Sequence, residues 1–162
     1  MSAIRFVCAA LVLLGSIILT AQVPAHAAAS RAAAEASYYG GSAAGNAALD
    51  WAEGHAAGCW YSYGGTGCYP GYDCSGLVME AFAHGAGITL PRTTYEMLGS
   101  RHLHWVPASQ ARRGDLLFYG SGHVEIDTIW PNTSFGAHDS GQRVGWIRWG
   151  GSWVPTAAYR IY

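Results

Sequence analysis

The chain has 162 residues, with nine basic side chains (all Arg) against ten acidic ones and a formal net charge of −1. That length holds one domain with little left over for a second. Near-neutral charge without a basic cluster argues against nucleic acid as a partner. Abundant Ala, Gly, Trp and Tyr with few charges describe a compact extracellular globule.

The N-terminus carries the first pattern. Arg5 supplies a short positive segment, Phe6 to Thr20 is an almost unbroken apolar run, and Ala25-His26-Ala27 after Pro24 is a small-x-small cleavage site. Residues 1–27 therefore read as a secretory signal peptide, too short and wrongly flanked for a stable membrane span. An uncleaved anchor is the alternative. Cys8 lies inside the apolar run rather than just before the cleavage point, which speaks against a lipid anchor. The expectation is a secreted, monomeric protein, extracellular or in the cell wall, without stable membrane insertion after cleavage. Residues 28–45, rich in Ala, Ser and Gly, read as a flexible spacer, and residues 46–162 as the folded domain.

Asn46 is a candidate cap for a helix running to about Ala57 and ended by Gly58. Residues 59–72 are a Tyr/Gly-rich loop with Gly64-Gly65, Gly67, Pro70 and Gly71 as breakers. Leu77, Val78, Ala81 and Phe82 then recur at helical spacing, which predicts a central helix over 74–86 ended by Gly85-Ala86-Gly87. Tyr95 to Ser100 is a short helix. His102 and His104 alternate with Leu103 and Trp105 as an exposed edge. From Gly114 the pattern turns to strands: 115–119, 123–129 after the Gly120-Ser121-Gly122 turn, 134–138, 144–149 and 157–162. Helices followed by a run of antiparallel strands make an α+β fold.

The stretch Tyr72-Asp73-Cys74-Ser75-Gly76-Leu77-Val78 is where chemistry concentrates. Asp73 suits an N-cap, which puts Cys74 in the first helical turn. Unpaired amides and the positive end of the dipole favour an anion there and lower a thiol's pKa. A buried structural cysteine is the bland alternative, and the polar neighbours Asp73 and Ser75 weigh against it. After cleavage three cysteines remain, so one is left over from pairing. Cys59 and Cys68 bracket an eight-residue loop and are the natural disulfide, leaving Cys74 free. Cys68 with Cys74 is the rival pairing. No Cys-x-x-Cys exists and His102-x-His104 has no matching Cys pair, so no metal site is expected.

A thiol nucleophile needs a base of near-neutral pKa, and that base needs a third group to fix its orientation. In the 123–129 strand, His123, Glu125 and Asp127 share one face, opposite Val124 and Ile126. His123 opens the strand after a Gly-rich turn, and a neighbouring strand carrying Phe135-Gly136-Ala137-His138 brings His138 beside it. His102, His104 and His55 read as surface or packing residues.

Gly64-Gly65, Asp73-Cys74-Ser75-Gly76-Leu77-Val78, Leu90-Pro91-Arg92-Thr93-Thr94, Arg113-Gly114-Asp115-Leu116-Leu117-Phe118, Gly122-His123-Val124-x-Ile126 and Ala137-His138 stand in that order. Together they resemble the NlpC-type cell-wall cysteine peptidases, a papain-like family, over about residues 46–150. The resemblance implies a papain-like α+β fold, its central helix carrying the nucleophile and packed on an antiparallel sheet. It also implies an exported thiol peptidase that cuts peptidoglycan stem peptides after D-glutamate, with no cofactor. Carried over, Cys74 is the nucleophile, His123 the base and His138 the orienting group, with Asp139 the alternative. Tyr61 and a Cys74 backbone amide lie near the oxyanion, Asp73 and Ser75 match residues that hold the substrate's amine, and Arg92 is partly structural. Glu125 and Asp127 depart from the family pattern, which has a small residue and an aromatic there. Glu125 then either acts on His123 or reads a positive group on the substrate, unless the strand simply meets solvent. An amidase cleaving the stem peptide from glycan, a non-catalytic wall-binding module and a secreted toxin are the competing readings.

Overall fold

The computed structural model of the protein describes residues 40–162. The expected signal peptide and residues 28–39 of the expected spacer lie outside the described residues. Among the described residues no helix is long and apolar enough to cross a membrane.

Helix α1 spans Ala43–His55 and begins three residues before Asn46. Ser42 is its cap, accepting from the Gly45 amide at 3.0 Å. The Asn46 side chain instead accepts from Arg113 at 3.2 Å. Residues 43–45 thus belong to the helix and not to the spacer. Ala48, Leu49 and Ala52 bury one face of α1 against α2, the central helix Cys74–Ala86. Asp73 caps α2 as expected, and Gly87 ends it with φ 68° in the left-handed region that Gly adopts without a Cβ clash. Between the helices, β1 (Thr66–Gly67) and β2 (Gly71–Tyr72) form a small antiparallel ladder inside the stretch that the sequence reads as loop. Cys59 and Cys68 are joined by a disulfide and Cys74 is the free cysteine, so the rival pairing does not form.

Helix α3, Thr94–Leu98, is held by a Thr93/Glu96 capping box. The remaining strands are β3 (His104–Val106), β4 (Leu116–Tyr119), β5 (His123–Asp127), β6 (Thr133–Gly136), β7 (Gly145–Arg148) and β8 (Ala157–Arg160). They form one six-stranded sheet of order β3-β8-β4-β5-β6-β7, antiparallel throughout. Exposed β3 sits at an edge as expected, but His104 and Trp105 are both exposed, so the alternation read from the sequence does not hold. The sheet has two distinct faces. Leu116, Phe118, Val124, Ile126 and Phe135 join Leu77, Val78 and Phe82 of α2 in the main core. Leu117 pairs with Glu125 and Tyr119 with His123 on the opposite face. That second face is covered by the loop before β8, where Trp153 stacks on Tyr119 with centroids 4.4 Å apart. An ion pair ties neighbouring strands β4 and β8 at one end: Arg160 grips the fully buried Asp115 at 2.8 and 2.7 Å.

The disulfide closes the short loop that carries Tyr61, and cross-linking acts mainly by restricting the unfolded chain. Replacing Cys59 and Cys68 together by Ser is expected to lower unfolding free energy by about 2–3 kcal/mol. Urea denaturation followed by tryptophan fluorescence measures this as a lower midpoint at unchanged slope.

Candidate active site

Two element starts meet at the site. Cys74 is the first residue of α2 and 8% exposed. Its Sγ lies 3.8 Å from Thr94 Oγ1 and 4.0 Å from the Gly122 carbonyl, just before His123 opens β5. Burial pushes the Cys74 thiol up, but the His123 ring, the Val124 amide and the Thr94 hydroxyl outweigh it and hold the thiol below its ordinary value. For His123, burial works against the charged ring, while the thiol and Glu125 raise its pKa to about 9. Both shifts favour the thiolate–imidazolium pair.

Glu125 stands behind His123 at zero exposure. Its Oε1 lies 2.9 Å from His123 Nε2 and 2.8 Å from His138 Nδ1. Its Oε2 accepts from Ser134 Oγ and, at 3.2 Å, from the Tyr119 hydroxyl. Burial favours the neutral acid, but the bonds from His123, His138 and Ser134 outweigh it and hold Glu125 below the usual carboxylate range. An ionised carboxylate only accepts, so His123 donates its Nε2–H to Glu125, and the imidazolium's second proton sits on Nδ1. Space for this carboxylate exists because position 136 is Gly: a Cβ there would come within 2.7 Å of Glu125 Cγ. Trp153 lies edge-on to both imidazoles, with centroids 5.4 Å from His123 and 4.8 Å from His138.

The site residues expected from the sequence fall into two groups. Cys74, His123, Tyr61, Asp73, Ser75 and Arg92 line one cleft of about 440 Å³, flanked by Tyr63 and Tyr95. In that cleft burial, the Cys74 charge and Asp73 raise the Tyr61 pKa, so the hydroxyl stays a donor. Asp73 accepts from the Gly76 and Gly64 amides at 2.7 and 2.8 Å and from Arg92 through both oxygens at 3.0 and 2.7 Å. Arg92 also donates to Ser75 Oγ at 2.9 Å. Asp73 and Arg92 are thus a built wall of the cleft. Glu125 and His138 lie behind it. The expectation that Glu125 touches substrate is corrected: it is sealed from the cleft and bonded to both histidines. His138 faces His123 edge-on at 5.5 Å between centroids, and the group bonded to His123 Nε2 is Glu125 rather than His138. Asp139 is exposed and bonds the Ser140 amide, so it is not the orienting group.

Tyr119, Ser134, Thr94 and Trp153 were not singled out in the sequence. Only the i, i+2 spacing of His123 and Glu125 on one strand face signalled any of this polar interior. His123, Glu125 and His138 also offer three metal-ligand atoms within 4.8 Å of one another. Both ring nitrogens, however, converge on one carboxylate oxygen at hydrogen-bond distance. That is the geometry of a shared acceptor, where a metal ion would need ligands spread around it at about 2.0–2.2 Å.

Comparison with known proteins follows the same outline. A model of the NlpC/P60 family matches residues 58–144. Peptidoglycan endopeptidase RipB of Mycobacterium tuberculosis (strain H37Rv) is 46% identical over 61 residues, 37% of this chain and 24% of that protein. The bifunctional muramidase/DL-endopeptidase CwlT of Bacillus subtilis is 40% identical over 88 residues, 50% of this chain and 26% of that protein. The chain thus aligns with about a quarter of the length of these curated relatives. The crystal structure of the NlpC/p60 domain of peptidoglycan hydrolase SagA superposes with a TM-score of 0.61 at 28% identity, over 72% of this chain and 98% of that one.

Glu125→Gln keeps the shape and removes the charge. It is expected to cut turnover about a hundredfold or more, by analogy with loss of the carboxylate in other His-based triads. Loss of the negative neighbour lowers the His123 pKa. Loss of the imidazolium proton, expected at about pH 9 in the native protein, then moves to lower pH. NMR titration of the His123 ring in both proteins checks this.

Proposed function

Because the chain belongs to the NlpC/P60 family, we propose that it is a secreted bacterial cysteine peptidase that hydrolyses peptidoglycan stem peptides. The bond is the one between D-glutamate and the diamino acid. The observation that carries this reading is a thiol at a helix start, in an open cleft, facing an imidazole whose far nitrogen is held by a buried carboxylate. The relatives, one named a peptidoglycan endopeptidase and one a muramidase/DL-endopeptidase, support the substrate class.

The chemistry proceeds from the ion pair. The Cys74 thiolate attacks the scissile carbonyl carbon, and the carbonyl oxygen becomes an oxyanion. First-turn amides of a helix have no intrahelical acceptor, so the Cys74 N–H is available to that oxygen. The Tyr61 hydroxyl is the second donor. His123 gives its Nδ1 proton to the leaving amine, and the C–N bond breaks. Water then attacks the thioester with His123 as base, which frees the carboxyl product and restores the thiol pair. Glu125 never touches substrate. It fixes the ring orientation of His123 and stabilises its charged form, and His138 in turn holds Glu125. Thiol catalysis of this kind uses no cofactor.

Mass spectrometry of purified peptidoglycan digested with the protein, beside a Cys74→Ala control, tests the bond and the nucleophile together. Fragments ending in D-glutamate, absent from the control, are the expected result. Intact stem peptides freed from glycan would identify an amidase instead, and no product on several wall types would favour a binding module. Tyr61→Phe is expected to lower kcat roughly ten- to a hundredfold with little change in KM, the pattern for a lost oxyanion donor. Steady-state kinetics on a stem-peptide substrate measure it.

A further inference from the structure

The sheet face that carries His123 and Glu125 carries one more acid. Asp127 ends β5 and is 8% exposed. It lines a second cavity of about 340 Å³, which shares no lining residue with the catalytic cleft. The cavity lies at the end of β5, walled by the 108–111 segment and the 128–132 turn as well as by the loop before β8. Leu117 and Asp127 form part of its lining, with Trp130, Pro131, Trp149 and Pro155 around them. Its size falls within the range of small-ligand sites.

The electrostatics of this acid are unbalanced. One oxygen, Oδ1, accepts from the Thr128 amide at 3.0 Å. Among the described residues Asp127 has no other side-chain hydrogen bond and no ion pair. Its charged neighbours cannot serve it. Asp115 is an acid and already holds Arg160 at 2.7 Å. Glu125, next along the same face, is bonded to both histidines. Burial first, and then the Asp115 charge, push the Asp127 carboxyl up to about 7. A buried carboxylate without a counter-charge is costly, and a cation brought to it would remove that cost. Trp130 is half exposed beside it, and an indole face attracts an organic cation while its rim packs on an alkyl stem. Metal ions are poorly matched here, because calcium or magnesium needs about six oxygen ligands and Asp127 is the only carboxylate in the lining.

We propose that the cavity at the end of β5 is a binding site for a primary alkylammonium group, with Asp127 as its counter-ion and Trp130 as its aromatic wall. The site is separate from hydrolysis and does not depend on the peptidase reading.

The test uses the full protein at pH 8, where Asp127 is ionised, with n-pentylammonium as probe and 1-pentanol as its neutral counterpart of similar length. Titrations are followed by NMR of the Trp130 and Trp149 indole N–H and the Thr128 amide. Saturable shifts are expected with the amine, and at least tenfold weaker binding with the alcohol. Asp127→Asn should weaken amine binding at least tenfold. Trp130→Ala, a half-exposed position whose loss leaves the core intact, should weaken it several-fold, so the proposal does not hang on one variant. Equal affinity for amine and alcohol, no saturation by the amine, or unchanged amine binding in both variants would overturn it. A competition arm with the Cys74→Ala protein identifies the source of the amine. Displacement of the probe by wall peptides, but not by their N-acetylated forms, upholds the site with the amine on the wall polymer. Displacement by neither upholds it with a soluble amine.

Discussion

A single carboxylate with no access to solvent organises the polar interior of this protein. Glu125 accepts four side-chain hydrogen bonds, two from imidazoles through Oε1 and two from hydroxyls through Oε2. An isolated buried carboxylate would take up a proton, since burial disfavours charge. Here the donors reverse that outcome, and the retained charge does the next job. It stabilises the His123 imidazolium, which in turn stabilises the Cys74 thiolate. The nucleophile is therefore controlled from two positions further along its partner strand, by a residue the substrate cannot reach.

The fold explains why these groups meet. Helix α2 and strand β5 pack through Leu77, Val78, Val124 and Ile126 in one core. That packing sets the start of the helix against the start of the strand, so the Asp73-capped thiol and the post-turn histidine face each other without further adjustment. The second face of the sheet is left for polar groups, and it is usable only because Trp153 and its loop close over it. Trp153 thereby keeps water from the His–Glu–His cluster, where a low local dielectric strengthens each charged hydrogen bond.

How much of this was legible in the sequence follows from the range of each interaction. The Asp73 cap, the Cys74 position, the central helix and the alternation of β5 depend on neighbours within a few residues, and each was readable. The choice of Cys59–Cys68 as the disulfide was readable from spacing. The true start of α1 was not, because Ser42 competes with Asn46, and Asn46 is drawn away by Arg113 far along the chain. The role of Glu125 was hidden for the same reason. It needs Gly136 to make room, Ser134 and Tyr119 to donate, and a tryptophan loop to exclude water, all set by strand pairing. From spacing alone, Glu125 facing a cleft and Glu125 facing a sealed interior look identical.

Glu125 and Asp127 make that point in physical form. They are the same kind of group, two residues apart, on one face of one strand, and both are buried. Their titrations move in opposite directions, Glu125 down and Asp127 up to about 7. Burial pushes both upward, so burial cannot be the difference. The difference is donors: two imidazoles and two hydroxyls converge on the first, one backbone amide on the second, and the second also feels the charge of Asp115. One environment is complete within the chain, and the carboxylate there is locked into a fixed structure. The other lacks its positive partner and opens on a cavity. A protein that satisfies one acid fully and leaves its neighbour unmatched has separated a charge needed internally from one left available to a visitor.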